Sequence, residues 1–414
     1  MVLSRNWRRL LGIAVAAATL TACGSHADTS HQASPTPKHN DPCASAARYA
    51  NACSYVTVNG ADYRYSLVGG SKHPKPLALL DIGGPGLSLF GSGWPSDILS
   101  QLDKKYDVLV LDEPWVTADE SSECRTSLET WYQAIRTSWQ PKQTRMPTSI
   151  QDASRAIPAA CTLWNGRWGW TPSTYTSAVD AILAKTERKL AAFVGFSFGS
   201  TRLAYLTNAG INVPTVDLIS PFPTGTSAVA LIRARQAVLN TAPKFSKALI
   251  GKQPATRSVP IAASDLAAAQ VEAQYVPPAA QTTLYKHAAD ATLVGHLSDM
   301  LFSRYGEDDI APSMLAFWDE TCPAAHDWPT AAEAGITNVL YEVCGSQHNQ
   351  KPVTPGHLKV VPCIVATRHD GIVPLPLLRR WTKTNRWPIR PGVGGHADLR
   401  NLTRCMEPGN AAGN

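Results

Sequence analysis

Three side chains in widely separated stretches of the chain are of the types that one reaction needs. VGFSFGS, residues 194 to 200, places Ser197 between Gly195 and Gly199 directly after the apolar run Leu190 to Val194. A serine hydroxyl is a weak nucleophile at neutral pH, so it requires a base, and the base requires an acid that fixes its tautomer. Asp370 in ATRHDGIVP and His396 in GVGGHADL follow in that order. The chemistry is acyl transfer through an ester on Ser197, and it also needs N–H donors for the developing oxyanion. One is the N–H of Phe198, the residue after the nucleophile. DIGGPGLS, residues 81 to 88, offers the second at Gly84, because Pro85 has no N–H. His348, His357 and His369 are rival bases and Asp398 is a rival acid. His369 adjoins Asp370 and would have to point the other way, while His348 and His357 precede the acid.

A G-x-S-x-G pattern arises by chance about 0.1 times in a chain of this length at ordinary Gly and Ser usage, so the elements around it must carry the argument. A nucleophile elbow leaves a strand and enters a helix through a turn so tight that the residues two before and two after the serine are nearly side-chain-free. The sequence predicts that context: a strand to Val194, then a helix over Ser200 to Leu206. Leu77 to Ile82 and Tyr106 to Asp112 are short apolar runs of the kind buried parallel strands show, with a helix between them at Trp94 to Leu102. Tyr175, Val179, Ile182 and Leu183 form a helical stripe that ends near Arg188, and Val216 to Ile219 is a further strand. Residues 223 to 335 shift to Ala-rich helical stretches broken by Pro, with no clear strand, as an inserted cap would. The sheet is expected to resume at Lys359 to Ala366, followed by a helix at Leu375 to Thr384 and a short strand near Trp387 to Ile389. The alternation predicts an α/β fold with a mostly parallel sheet flanked by helices. Its core comprises residues 43 to 222 and 336 to 414.

The chain has 414 residues, 44% of them hydrophobic, enough for a sizeable core. Its net charge of +6 includes Arg5, Arg8 and Arg9, which precede the uncharged run Leu10 to Ala22. That run suits a signal-peptide core and is too short for a membrane-spanning helix. Residues 1 to 22 are therefore expected to be an export signal. Leu20-Thr21-Ala22-Cys23-Gly24 resembles the lipobox of bacterial lipoproteins, with Cys23 as the lipidated residue and the membrane as partner; ordinary secretion is the alternative. Residues 23 to 42, rich in Ser, Thr, Pro and His, are expected to be a disordered tether. Removing the signal takes three Arg and no acid, which leaves 35 basic against 32 acidic residues. No Lys/Arg block remains for nucleic acid. Nine cysteines less Cys23 leave eight. Connectivity does not follow from sequence, but chain order suggests the pairs 43 with 53, 124 with 161, 322 with 344 and 363 with 405. With no C-x-x-C and no H-E-x-x-H, no metal or other cofactor is expected.

GGPG at 83 to 86, GFSFG at 195 to 199, HDGIVP at 369 to 374 and GGH at 394 to 396 together resemble the secreted α/β-hydrolase peptidases of the prolyl iminopeptidase and tripeptidyl aminopeptidase family. The resemblance spans roughly residues 43 to 414. It implies the α/β-hydrolase fold and a serine exopeptidase acting on short peptides, with acidic cap residues holding the substrate amine. The cap carboxylates include Glu272, Glu307 to Asp309, and Asp319 with Glu320. The last two adjoin Phe317 and Trp318 and are the expected amine anchors. Two features depart from the family: Ile82 stands where His usually precedes Gly-Gly-Pro-Gly, and DEPWVTAD from Asp112 lacks the usual Asp-x-Arg-Gly-x-Gly-x-Ser pattern. An esterase, lipase or thioesterase acting on a small ester would use the same triad. A catalytically silent surface-binding lipoprotein is a third reading.

Overall fold

The computed structural model describes residues 53–69, 74–88, 95–304, 310–328, 335–346, 353–354, 358–396 and 398–406. The expected signal, Cys23, the tether and Cys43 lie outside the described residues, as do His348, His357 and Glu307 to Asp309.

Ten strands are formed among the described residues: β1 Cys53–Val58, β2 Ala61–Val68, β3 Leu77–Asp81, β4 Asp107–Leu111, β5 Leu190–Phe196, β6 Val216–Ile219, β7 Thr226–Ser227, β8 Ala325–His326, β9 Cys363–Ala366 and β10 Ile389–Pro391. Eight of them make one sheet in the order β1-β2-β4-β3-β5-β6-β9-β10. β2 runs antiparallel to both β1 and β4. From β4 to β10 every neighbour is parallel. This is the α/β-hydrolase fold.

Alternate residues of the central strands feed two separate cores. Leu77 and Leu79 of β3, Leu109 of β4 and Phe193 of β5 pack on one face with Tyr175, Val179, Ile182 and Leu203. Ala78, Leu80, Val108, Val110 and Val194 pack on the other with Ile98, Leu99 and Leu402. Both faces are dry, which is why these strands read as continuous apolar runs. The first face is covered by Pro172–Thr186 and Gly199–Asn208, the second by Pro95–Leu102 and Arg400–Met406.

Several expected boundaries move for identifiable reasons. β5 continues two residues beyond Val194, carrying the sheet to the serine. β9 begins at Cys363 and not at Lys359, because Pro362 offers no N–H to the ladder. β10 lies two residues later than expected. β7 and β8 pair in parallel at the base of the helical layer, where no strand was expected.

That helical layer is drawn from two parts of the chain. Ser122–Ser138 and Thr148–Ala160, which the sequence left unassigned, share an apolar cluster with Ser313–Ala324 and Ile336–Tyr341. Trp131 meets Trp318 edge-on at 5.0 Å and Phe302 at 5.8 Å. The stretch 223 to 335 is therefore only part of what covers the sheet. Disulfides join Cys124 to Cys161, Cys322 to Cys344 and Cys363 to Cys405, in the order the sequence suggested. Cys53 is also disulfide-bonded.

Candidate active site

The serine stands where β5 runs out. Ser197 has φ +46°, a left-handed conformation that an L-residue adopts only when its surroundings impose it. They do. Its N–H donates to Ile219 O at 3.0 Å and its carbonyl accepts from Phe222 N at 2.8 Å, so both peptide groups are tied to the chain leaving β6. Ser200 reinforces this by donating its hydroxyl to Phe222 O at 2.7 Å. The flanking glycines are required by space. A Cβ on Gly195 would lie 2.6 Å from Phe193 Cε1, and one on Gly199 would lie 2.8 Å from Asp81 O.

The structure brings Asp370 and His396 to this serine. His396 Nε2 lies 2.9 Å from Ser197 Oγ, and its Nδ1 lies 2.8 Å from Asp370 Oδ2. The other carboxylate oxygen of Asp370 accepts from Ile372 N at 2.9 Å and Val373 N at 2.8 Å, which fixes its plane. A carboxylate can only accept, so Nδ1 carries the hydrogen and Nε2 is left to accept from the serine. The Tyr275 ring stands edge-on to His396 at 5.7 Å. The rivals among the described residues fall elsewhere: exposed His369 accepts from Arg368 Nε at 3.0 Å, and Asp398 pairs with Arg400.

The loop after β3, neighbour of β5, crosses beside the elbow. A Cβ on Gly83 would lie 2.7 Å from Phe198 N and 3.1 Å from Ser197 Cβ. Gly83 donates its own N–H to Asp81 Oδ1 at 2.9 Å. The N–H groups of Gly84 and Phe198 make no hydrogen bond among the described residues. The site thus occupies the carboxyl ends of adjacent parallel strands, where the chain turns to opposite sides of β3.

Beneath this loop lies a charge cluster that sequence reasoning missed. Arg202, from the helix after the elbow, donates to Glu320 at 2.8 and 2.9 Å, to Glu113 Oε1 at 2.5 Å and to Asp81 Oδ1 at 3.1 Å. It also donates to Gly83 O at 3.2 Å. Glu113 accepts from Gly86 N at 2.6 Å and Trp115 Nε1 at 3.1 Å, and Tyr175 OH donates to Asp81 Oδ2 at 2.7 Å. The cluster grips the 83–86 loop at both ends. Burial pushes Glu113 up to about 8, with the Arg202 cation pulling it down and Glu320 pushing it further up. Glu113 belongs to DEPWVTAD, so the stretch that departs from the family pattern braces the Gly-Gly-Pro-Gly loop. The available signal was Arg202 itself, the one charge in a buried, otherwise uncharged helix directly after a buried strand.

Asp319 and Glu320 are not at the cavity, which corrects the expected amine anchors. Glu320 is fully buried and committed to Arg202. Asp319 accepts from Trp164 N at 2.6 Å and Gly169 N at 3.1 Å, on the side away from Ser197's cavity. Burial pushes it up to about 6, against the pull of those N–H groups. The apolar neighbours of the pair signalled burial inside the helical layer, not a pocket wall.

The cavity over Ser197 and His396 is lined by Gly84, Phe317 and Tyr341 among others, and its one carboxylate among the described residues is Glu272. Glu272 is 8% exposed and has no ion pair or hydrogen-bond partner among them, and burial alone pushes it up to about 8. The volume is about 160 Å³. Pockets that engulf a drug-sized ligand span about 300–1,000 Å³, so this one is too small to enclose a whole ligand of that size. Elsewhere, Asp217, Cys363 and Cys405 cluster, but the two sulfurs are bonded to each other and offer no thiolate to a metal.

No protein-family model and no curated protein matches the chain. Solved structures do. The enol-lactonase from Burkholderia xenovorans LB400 is 13% identical, with 85% of this chain and 99% of that chain covered at a TM-score of 0.42. A thermophilic esterase from Thermogutta terrifontis is 10% identical over 86% and 94% of the two chains, at 0.39. Naproxen esterase from Bacillus subtilis is 12% identical over 86% and 91%, at 0.36. At such distances the likeness says nothing of activity, and the fold assignment rests on the chain's own sheet order and elbow.

Proposed function

We propose that the chain is a serine hydrolase acting by acyl transfer, with short peptides bearing a free amino terminus as its substrates. The observation that carries the first part is the continuous hydrogen-bonded line from Asp370 through His396 to a strained Ser197. Ser197 Oγ attacks the substrate carbonyl while His396 Nε2 takes its proton. Asp370 keeps Nδ1 protonated and stabilises the imidazolium. The oxyanion lies against the N–H groups of Phe198 and Gly84. The leaving group departs with the proton from His396, and water, activated by the same imidazole, releases the acyl group. No cofactor enters any step.

Glu272 favours a peptide over an ester. An unpartnered carboxylate buried beside a nucleophile is costly, and a substrate ammonium would repay it by ionising it. The esterase reading draws on the cavity's other walls, Leu239, Val271, Met300, Leu301, Met314 and Leu340, which suit an acyl chain. The site's place is the cell surface: residues 1 to 22 direct export and Cys23 takes a lipid.

Fluorophosphonate labelling should modify Ser197 and be lost in Ser197→Ala; an adduct on another residue overturns the mechanism. Peptidyl anilides with free and acetylated amino termini, run beside short-chain 4-nitrophenyl esters, separate peptidase from esterase. Release of the protein from membranes in Cys23→Ser tests the anchor.

A further inference from the structure

Glu272 has a counterpart of opposite charge. Arg235, on Ala228–Thr241, lines the same cavity and is the only permanently charged cation among its described lining residues. Two of its donors are committed, Nε to Ile372 O at 2.7 Å and Nη1 to Tyr341 OH. Both acceptors are neutral. Among the described residues Arg235 forms no ion pair, whereas Arg136, Arg202 and Arg257 each hold carboxylates. Nη2 makes no hydrogen bond among them. The guanidinium is therefore positioned by neutral groups, one of them two residues beyond Asp370, has no carboxylate paired to it among the described residues, and lines the cavity over Ser197. Glu272 and Arg235 do not pair with each other. A neutral substrate would cover the half-buried guanidinium without giving it a counter-ion and would leave the buried Glu272 carboxyl without a partner, whereas a ligand carrying both an ammonium and a carboxylate complements the two groups.

We propose that Arg235 is a specificity-determining residue that receives a carboxylate of the substrate, so that the cavity selects zwitterions. This rests on the reading of the cavity as the substrate site of Ser197. The carboxylate can come from the C-terminus of a very short peptide, on the leaving-group side, or from an acidic side chain of the acylating residue. Guanidinium and carboxylate meet by two parallel hydrogen bonds, and an arginine fork held by two anchors loses little freedom on binding.

The test compares kcat/KM in pairs that differ only in the carboxylate. Ala-Phe against its C-terminal amide reports the leaving-group side. Glutamyl against glutaminyl 4-nitroanilide reports the acyl side. Mono-4-nitrophenyl succinate against 4-nitrophenyl butyrate reports the same recognition without a peptide bond. At least one pair should favour the carboxylate tenfold or more, mainly through KM. In Arg235→Gln that ratio should fall to threefold or less, with Arg235→Lys between the two. Should Arg235→Gln fail to fold, Tyr341→Phe removes one anchor of the guanidinium and should lower the ratio severalfold. No preference in any pair, or a preference that neither variant changes, overturns the proposal. If only the ester pair is turned over, with the preference intact, the peptidase reading fails and the role of Arg235 stands.

Discussion

Replacing Glu272 by Gln should make the protein more stable, by an amount that grows with pH. The side chain is 8% exposed with no partner among the described residues, and burial lifts it from an ordinary 4.5 to about 8. At about 1.4 kcal/mol per pH unit, the interval from 4.5 to 8 is a penalty of about 5 kcal/mol for the fully ionised group. The sign follows from proton counting. A carboxyl whose folded value is raised contributes nothing adverse below pH 4.5, where folded and unfolded chains are both protonated. Stability is then lost as pH rises toward 8, because the unfolded chain releases its proton first. Gln has no proton to lose, so the variant should match the parent near pH 4, exceed it by about 3 kcal/mol at pH 7 and approach about 5 kcal/mol at pH 9. Urea unfolding followed by tryptophan fluorescence at those three pH values measures the difference. A gain that does not change with pH, or a loss at every pH, refutes the reasoning. The same variant should raise KM for free-amine peptides far more than for their N-acetylated forms, since an arriving ammonium displaces the proton of Glu272 in the parent.

Arg202→Met leaves Asp81, Glu113 and Glu320 buried without their cation, and should cost about 3–5 kcal/mol at neutral pH and less at pH 5, where carboxyls protonate. Denaturant midpoints at the two pH values check it. Asp319→Asn weakens two backbone contacts in the helical layer and should cost about 1–2 kcal/mol while leaving KM for free-amine peptides unchanged; a raised KM would return Asp319 to the pocket. Gly199→Ala pushes a methyl to 2.8 Å from Asp81 O, so it should lose most fluorophosphonate labelling and about 1–3 kcal/mol of stability.

The reactive line was readable in advance because each of its parts obeys a local rule. Glycines flank Ser197 where a turn leaves no room for Cβ, and Asp370 and His396 stand in loops just past β9 and β10, the first of which reads as a short apolar run. In the Gly-Gly-Pro-Gly loop Gly84 keeps an N–H where Pro85 has none. These are constraints that a chain satisfies with neighbours in sequence, so sequence records them.

Charge pairing obeys no such rule. Glu113, Arg202 and Glu320 come from three distant segments and meet only because the helical layer closes over the loop after β3. Asp319 and Glu320 look like pocket carboxylates beside Phe317 and Trp318, yet the helix that carries them turns them toward Trp164, Gly169 and Arg202. Glu272, with no adjacent aromatic residue to recommend it, is the one carboxylate among the described residues that lines the serine's cavity. The sequence by itself determined the reaction's parts and the sheet that aligns them. Only the tertiary structure decided which carboxylates are paired inside the protein and which lines the serine's cavity without a partner among the described residues, because desolvation and pairing depend on what the folded chain places around a charge.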